Sequence, residues 1–241
     1  MSDTITFTVD GVEVTGRKGQ TIIQAADDAG IYIPRLCWTK KLKPGASCRL
    51  CTVLVNNRPT ASCTQPIGEG MVVLNETEQL ITYRKNLVEM LFVEGNHFCM
   101  FCEKSGNCEL QAMAYRFGIA APKFPYMFPK RELDASHPDI FLDRNRCILC
   151  GRCVRASRDL DGKGVFQFVG RGNHKKIGVN AEARLADTNV DVSDDAVGSC
   201  PVGAILKKRV GFAVPVGQRL YDHQPIGSDT EAKARRSARG K

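Results

Sequence analysis

Eleven cysteines gathered into three short groups constrain this 241-residue chain more than any other feature. At about 4.6% of residues they fall below the roughly 8–10% of a short disulfide scaffold, and they recur as C-x2-C pairs. The N-terminal stretch "MSDTITFTVDGVEV" alternates polar and apolar residues, with no basic segment leading into an apolar run, and nowhere do 18 apolar residues follow one another. A cytoplasmic chain is therefore expected, in a reducing compartment where clustered cysteines serve metal or redox chemistry.

The first group is Cys37, Cys48, Cys51 and Cys63, spaced C-x10-C-x2-C-x11-C. Pro44, Gly45 and Ala46 are small or rigid and let backbone amides approach a cofactor closely. Four thiolates with one close pair fit a plant-type 2Fe-2S cluster whose first gap has lengthened. Tetrahedral zinc also takes four cysteines and favours C-x2-C, so spacing alone leaves that alternative open.

The second group, in "NHFCMFCEKSGNCELQ", is Cys99, Cys102 and Cys108, with His97 as fourth ligand. Of four histidines it is the one among cysteines, and a three-cysteine set needs another donor. Cys108 falls at the start of an expected helix, where amides and dipole favour a thiolate. The third group, Cys147, Cys150, Cys153 and Cys200, is the most specific. "CILCGRC" is the C-x2-C-x2-C run of bacterial 4Fe-4S proteins, and "CPVGAI" supplies the remote cysteine followed by Pro201. The three sets use every cysteine, leaving none for a catalytic thiol, a disulfide or another centre.

A two-cluster ferredoxin would carry a second set of cysteines around the third group. Those positions hold Ser157, Val190, Ser193 and Ala196, so this region reads as a two-cluster domain with one site lost. Phe166 and Phe168 are candidate fillers of the lost site, or ordinary strand core.

The pattern between the cysteines is α+β. "TITFTVDGVEV" alternates about Asp10-Gly11, a hairpin signal, and strands are expected at Ile31–Ile33 and Thr52–Val55. Thr21 and Gln24 form a capping-box pair for a helix ending before Gly30. A second helix is expected from Glu78 to Glu94, capped by Asn75, with Leu80, Leu87, Val88, Leu91 and Phe92 on a core stripe. A third runs from Glu109 to Phe117. These elements divide the chain into a 2Fe-2S domain of β-grasp type (1–76), a helical 4Fe-4S segment (77–120) and a proline-rich connector (121–138). A ferredoxin-like single-4Fe-4S domain of short strands and turns (139–215) and a basic tail (216–241) complete it.

Lys and Arg outnumber Asp and Glu by 34 to 26, a formal charge of +8. Thiolate-bound clusters would return about five negative charges, leaving roughly +3, so the excess is weak support for nucleic-acid binding. Five of the basic residues sit in "SDTEAKARRSARGK", expected as a solvated tail.

The order of modules, with "NHFC", "EKSGNCELQ", "CILCGRCVRAS" and "SCPVGAI", resembles the N-terminal region of the large iron-sulfur subunit of NADH dehydrogenase and of iron-only hydrogenases. A chain ending after these modules most resembles the gamma, or diaphorase small, subunits of cytoplasmic NAD-reducing nickel-iron hydrogenases, over about residues 1–215. One departure is the single residue between His97 and Cys99, where many relatives have three. The resemblance implies one 2Fe-2S and two 4Fe-4S clusters on the twelve residues named above. It also implies an FMN-containing flavoprotein partner that binds NADH and the small subunit of a nickel-iron hydrogenase, with this chain passing single electrons between them.

No G-x-G-x-x-G follows a strand, which removes sequence support for nucleotide binding, so no active site is expected in this chain itself. It is expected to act as a non-catalytic subunit of an oxidoreductase, poorly folded without its clusters. The alternatives are an equivalent wire subunit of an NAD-linked formate dehydrogenase or NADH dehydrogenase, and a zinc-rich basic protein that binds nucleic acid.

Overall fold

The computed structural model describes residues 3–232. The Asp10-Gly11 signal forms the expected hairpin: β1 (Thr4–Val9) pairs antiparallel with β2 (Val12–Arg17), and both turn residues adopt positive φ, 49° and 79°. β3 (Thr52–Val55), β4 (Arg58–Ala61) and β5 (Val72–Leu74) complete a five-stranded mixed sheet of order β2-β1-β5-β3-β4, in which only β1 and β5 run parallel. Helix α1 (Ile22–Asp28) packs on this sheet. Its capping box is present, the Gln24 side chain accepting from the Thr21 amide at 2.9 Å, and Gly30 follows it with φ 78°.

The strand expected at Ile31–Ile33 is absent. Pro34 follows with no N–H to donate to a ladder, and these residues serve the core from a loop. There Ile33 enters the core of the sheet domain while Tyr32 faces a second core.

Helix α2 (Glu78–Val93) is capped by Thr77, whose hydroxyl accepts from the Leu80 amide at 3.2 Å; the expected cap, Asn75, is engaged elsewhere. The Asn75 side-chain oxygen and carbonyl both accept from Arg84, which also donates to the carbonyls of Leu50 and Thr52. This buried guanidinium therefore joins α2 to the backbone on either side of Cys51. On the α2 stripe, Leu80 and Val88 are fully buried, whereas Leu87, Leu91 and Phe92 are half-buried.

Helix α3 (Glu109–Arg116) ends at Phe117 and Gly118, close to the expected boundary. Beyond the connector, β6 (Leu133–Asp134), β7 (Ile140–Asp143) and a late strand, Ile205–Lys207, form a three-stranded antiparallel sheet. Two helices that the sequence pattern did not announce also lie here: α4 (Arg152–Asp159), which carries Cys153, and the single turn α5 (Asp195–Gly198) before Cys200. The three arginines and Asp159 of α4 masked its narrow buried face, on which Arg152 lies with Cys153, Ala156 and Ser157. β8 (Phe166–Val169) and β9 (Lys176–Val179) form a separate hairpin.

One apolar core runs through all three cysteine segments, from Leu36 and Leu50 through Val88, Leu110 and Met113 to Ile140, Phe166 and Val202. The tail expected to be solvated begins instead as a packed strap. Ile226 and Thr230 are buried, and Arg116 donates to the Ile226 carbonyl and the Glu231 carboxylate, because α3 leaves an apolar edge beside Tyr32. The rest of that tail, residues 233–241, lies outside the described residues.

Replacing Arg84 by Met leaves up to four acceptors buried without a donor, and is expected to cost about 3 kcal/mol or more. Denaturant titration followed by circular dichroism measures this; an unchanged midpoint would show that water reaches those carbonyls.

Candidate metal centres

The first four cysteines meet where the sheet core ends. Cys51 and Cys63 belong to that core, Cys37 is buried and Cys48 is half-buried. Their thiols fall into two pairs, Cys37 with Cys48 and Cys51 with Cys63, each joined by a hydrogen bond. Within each pair one thiol is favoured as the thiolate: hydrogen bonds from Cys48 and Cys63 pull Cys37 and Cys51 below the ordinary thiol value. The loop between Cys37 and Cys48 behaves as its composition suggested. Ala46 takes φ 49° and its amide reaches Cys63, while the Ser47 amide and hydroxyl reach Cys37. Two pairs of thiolates wrapped by amides fit a 2Fe-2S cluster, in which each iron takes two protein ligands.

The second group lies between the end of α2 and the start of α3. Cys108 is the N-cap of α3, and the amides of Leu110 and Gln111 point at its sulfur; burial outweighs them and pushes the thiol up to about 12. A thiolate there needs a cation beside it, which iron would supply. His97 is half-buried, and this desolvation holds its imidazole neutral and lowers its pKa to about 4; the ring also hydrogen-bonds the backbone at Leu91. Its Nε2 is buried with no hydrogen-bond partner. A neutral imidazole with one nitrogen held by backbone and the other free is the ligating form of histidine. Gly95 is required by this approach, since a Cβ there would lie 2.6 Å from Nε2.

Cys147, Cys150, Cys153 and Cys200 line one apolar cavity with Ile177, Val202 and Ile205. Burial raises Cys147 to about 11 and Cys150 to about 12, and pushes Cys153 up as well. Leu149 adopts φ 52°, which turns its amide to within 3.4 Å of the Cys147 sulfur. Among the described residues no three His, Cys, Asp or Glu side chains close around one point as a single ion requires. The first group is gathered instead in pairs and the third around this cavity.

The positions Ser157, Val190 and Ala196 are buried and Ser193 is exposed. The Ser157 hydroxyl accepts from the Val165 amide, and Val190 and Ala196 join Phe166 in the core. Phe168, the other expected filler, lies at the surface against Gly151 and under the Lys175 ammonium.

Arginines that the cysteine pattern did not single out bind the groups together. Arg155 on α4 donates to the carbonyls of Cys37, Lys43, Cys150 and Gly151, and Gly45 makes room for its guanidinium. The Ser47 hydroxyl donates to the Cys150 carbonyl at 3.2 Å. Arg146, next to Cys147, reaches the Cys102 sulfur at 3.6 Å and pairs with Glu103 and Asp143. A Cβ on Gly203 of the "CPVGAI" segment would come within 2.7 Å of the same sulfur. Arg152, between Cys150 and Cys153, forms a bidentate pair with Glu109 at 2.6 Å for both bonds and donates to the Trp38 carbonyl. The third group thus touches both of the others. Their only sequence signal is the cluster of arginines around "CILCGRCVRAS".

Three cysteine groups held in contact by Arg146, Arg152 and Arg155 are the arrangement of an iron-sulfur protein of the ferredoxin type. The comparisons agree segment by segment. Residues 2–78 match a 2Fe-2S iron-sulfur cluster binding domain, 84–123 the NADH-ubiquinone oxidoreductase-G iron-sulfur binding region, and 137–206 the ferredoxin-like domain of NADH-quinone oxidoreductase subunit 3. The chain is 42% identical over 92% of its length to the NAD-reducing hydrogenase HoxS subunit gamma of Cupriavidus necator, covering 95% of that protein. It therefore belongs to the gamma-subunit family of NAD-reducing hydrogenases. A chain in the crystal structure of an NAD+-reducing [NiFe]-hydrogenase in the H2-reduced state superposes with a TM-score of 0.91 at 46% identity, over 95% of this chain and 98% of that one. The mitochondrial 78 kDa subunit of NADH-ubiquinone oxidoreductase of Candida albicans is 37% identical over 86% of this chain, which spans 29% of that protein. No helix among the described residues is long and apolar enough to cross a membrane.

Substituting Glu109 by Ala leaves the Arg152 charge buried and unpaired, and is expected to destabilise the fold by about 3–5 kcal/mol. The double substitution Arg152→Met, Glu109→Leu is expected to cost less than Glu109→Ala. Thermal unfolding of the cluster-loaded chain tests this ordering, and the reverse ordering would show that the pair carries no charge penalty.

Proposed function

We propose that this chain carries single electrons through one 2Fe-2S and two 4Fe-4S clusters, between the nickel-iron hydrogenase small subunit and the FMN-containing subunit that binds NADH. The reading rests above all on the contact of the third cysteine group with both others. Iron-sulfur clusters supply reversible one-electron chemistry at each station. Cys37, Cys48, Cys51 and Cys63 would hold the 2Fe-2S cluster; His97, Cys99, Cys102 and Cys108 the first 4Fe-4S cluster; and Cys147, Cys150, Cys153 and Cys200 the second. The ligand at His97 is the one substitution of a neutral donor for a thiolate.

The contacts give these stations a spatial order that differs from their chain order. Ser47 and Arg155 place the first group against the third, and Arg146 and Gly203 place the third against the second. Electrons then enter or leave at the two ends. Beside Cys99 the exposed Phe98, Met100 and Phe101 supply an apolar face for one partner subunit, with Met100 84% exposed. At the other end a groove of Tyr83, Leu87, Met90 and Pro59 lies beside the strand after Cys51 and offers a face for the other. Along the chain we assign 1–76 to the 2Fe-2S domain, 77–120 to the histidine-containing segment, 121–138 to the connector and 139–215 to the single-cluster domain. The burial of Ser157, Val190 and Ala196 supports a second cluster site lost from that domain and closed over by apolar packing, with Phe166 as its one filler.

Anaerobically purified protein is expected to hold about ten irons per chain with negligible zinc. Stoichiometric zinc with little iron would falsify the relay.

His97→Ala is expected to lose about four of those irons. His97→Cys is expected to keep them while lowering the reduction potential of one cluster, because a thiolate adds a negative charge where the imidazole is neutral. Iron analysis and a redox titration followed by electron paramagnetic resonance read both outcomes. An intact, unshifted set of signals in His97→Ala would remove the ligand assignment.

A further inference from the structure

Backbone amides reach the sulfurs of Cys48 and Cys147, each at 3.4 Å, whereas the sulfur of Cys102 accepts from a full positive charge, Arg146 Nη1, at 3.6 Å. Arg146 immediately precedes Cys147, so its backbone belongs to the third cysteine group while its guanidinium serves the second.

The guanidinium is held in this position from several sides. Its Nε donates to Asp143 Oδ2 at 3.0 Å and its Nη1 to Glu103 Oε2 at 2.9 Å, and it lies 5.9 Å from the centre of the Phe141 ring. Gly203 leaves the space in which charge and sulfur meet: a Cβ there would lie 2.7 Å from the sulfur and 3.4 Å from both Cδ and Nη1 of Arg146. The Arg146 side chain is only 16% exposed, so water and salt screen its charge incompletely. Arginine also keeps its proton at any pH at which the protein is folded. A fixed, weakly screened cation therefore stands on one sulfur of the second group.

Reduction adds a negative charge to an iron-sulfur cluster, and a cation that donates to a ligand sulfur stabilises the reduced form more than the oxidised one. Asp143 and Glu103 offset part of that charge, but the hydrogen bond to sulfur is made by the cation. We propose that Arg146, acting through the Cys102 sulfur, raises the reduction potential of the station held by His97, Cys99, Cys102 and Cys108, and that Glu103 moderates this effect. The inference rests on the iron-sulfur reading given above and assigns to a non-ligand residue the setting of one station's potential.

A redox titration of the full-length, cluster-loaded chain, followed by electron paramagnetic resonance, tests this. Arg146→Met removes the charge and the donor, and is expected to disfavour reduction of one cluster about tenfold, a downward shift of about 59 mV for one electron. The signal that moves is the one that His97→Cys also moves. Arg146→Lys keeps the charge and loses the planar fork, and is expected to shift the same signal down by less. Glu103→Gln removes the counter-charge and is expected to shift it upward, an outcome that mere loosening of the structure does not give. Iron analysis and circular dichroism establish that each variant is loaded and folded. An unshifted potential in iron-replete Arg146→Met overturns the proposal, as does a shift confined to another cluster. An unchanged or lowered potential in Glu103→Gln overturns it too, and decides the matter where Arg146→Met fails to keep its iron. Zinc in place of iron in the unsubstituted chain overturns the relay and this inference together, whereas an unmoved potential in an iron-loaded variant overturns this inference alone.

Discussion

The pair between buried Arg152 and half-buried Glu109 ties the three cysteine segments to one another. The first cysteine group sits on a sheet with a core of its own, whereas the second and third share one core with residues of the first segment. Arg152 lies between two cysteines of the third group, Glu109 follows the last cysteine of the second, and the Trp38 carbonyl that Arg152 also reaches follows the first cysteine of the first. One guanidinium thus fixes three cysteine segments relative to one another. Burying it is tolerable only because a planar fork meets a carboxylate with two short bonds, so the charge is compensated as well as desolvated.

The same device recurs with different partners. Arg84, Arg146 and Arg155 each bring several donors to acceptors contributed by separate elements, mostly backbone carbonyls beside cysteines. Peptide carbonyls in loops have no ladder to satisfy them, and loops are what wrap a cluster. Arginine, with five donors in a rigid plane, can pair several such carbonyls at once where lysine could not. Much of the basic excess is in this sense internal.

The order of iron-sulfur regions was legible in the sequence because C-x2-C spacing and capping signals are local. The hairpin at Asp10-Gly11 and the capping box at Thr21 stand where the residues placed them. What the sequence did not reveal depends on distant partners. Ile31–Ile33 has the composition of a strand but no neighbour to pair with, and Asn75 lost its capping role to a buried arginine nine residues on. Helix α4 was hidden because two of its three arginines, Arg152 and Arg155, turn onto backbone carbonyls and the Glu109 carboxylate, which reverses the usual reading of charge as surface. The strap over Tyr32 was hidden for a related reason: its apolar content is only Ile226 and a few neighbours, meaningful once α3 offers them an edge.

The third group lies between the other two in space yet comes last along the chain, and this bears on how the molecule is made. A chain emerging from the ribosome presents Cys37 to Cys63 and then His97 to Cys108 well before Cys200 is synthesised. Domains tend to fold in that order as they emerge. The two outer stations can therefore take shape while the segment that joins them is still missing, and the middle is closed by the final pass of chain. Truncation before Cys200 would remove the last cysteine of the middle group and leave the contacts between the two outer segments, through Arg84 and the shared core, in place.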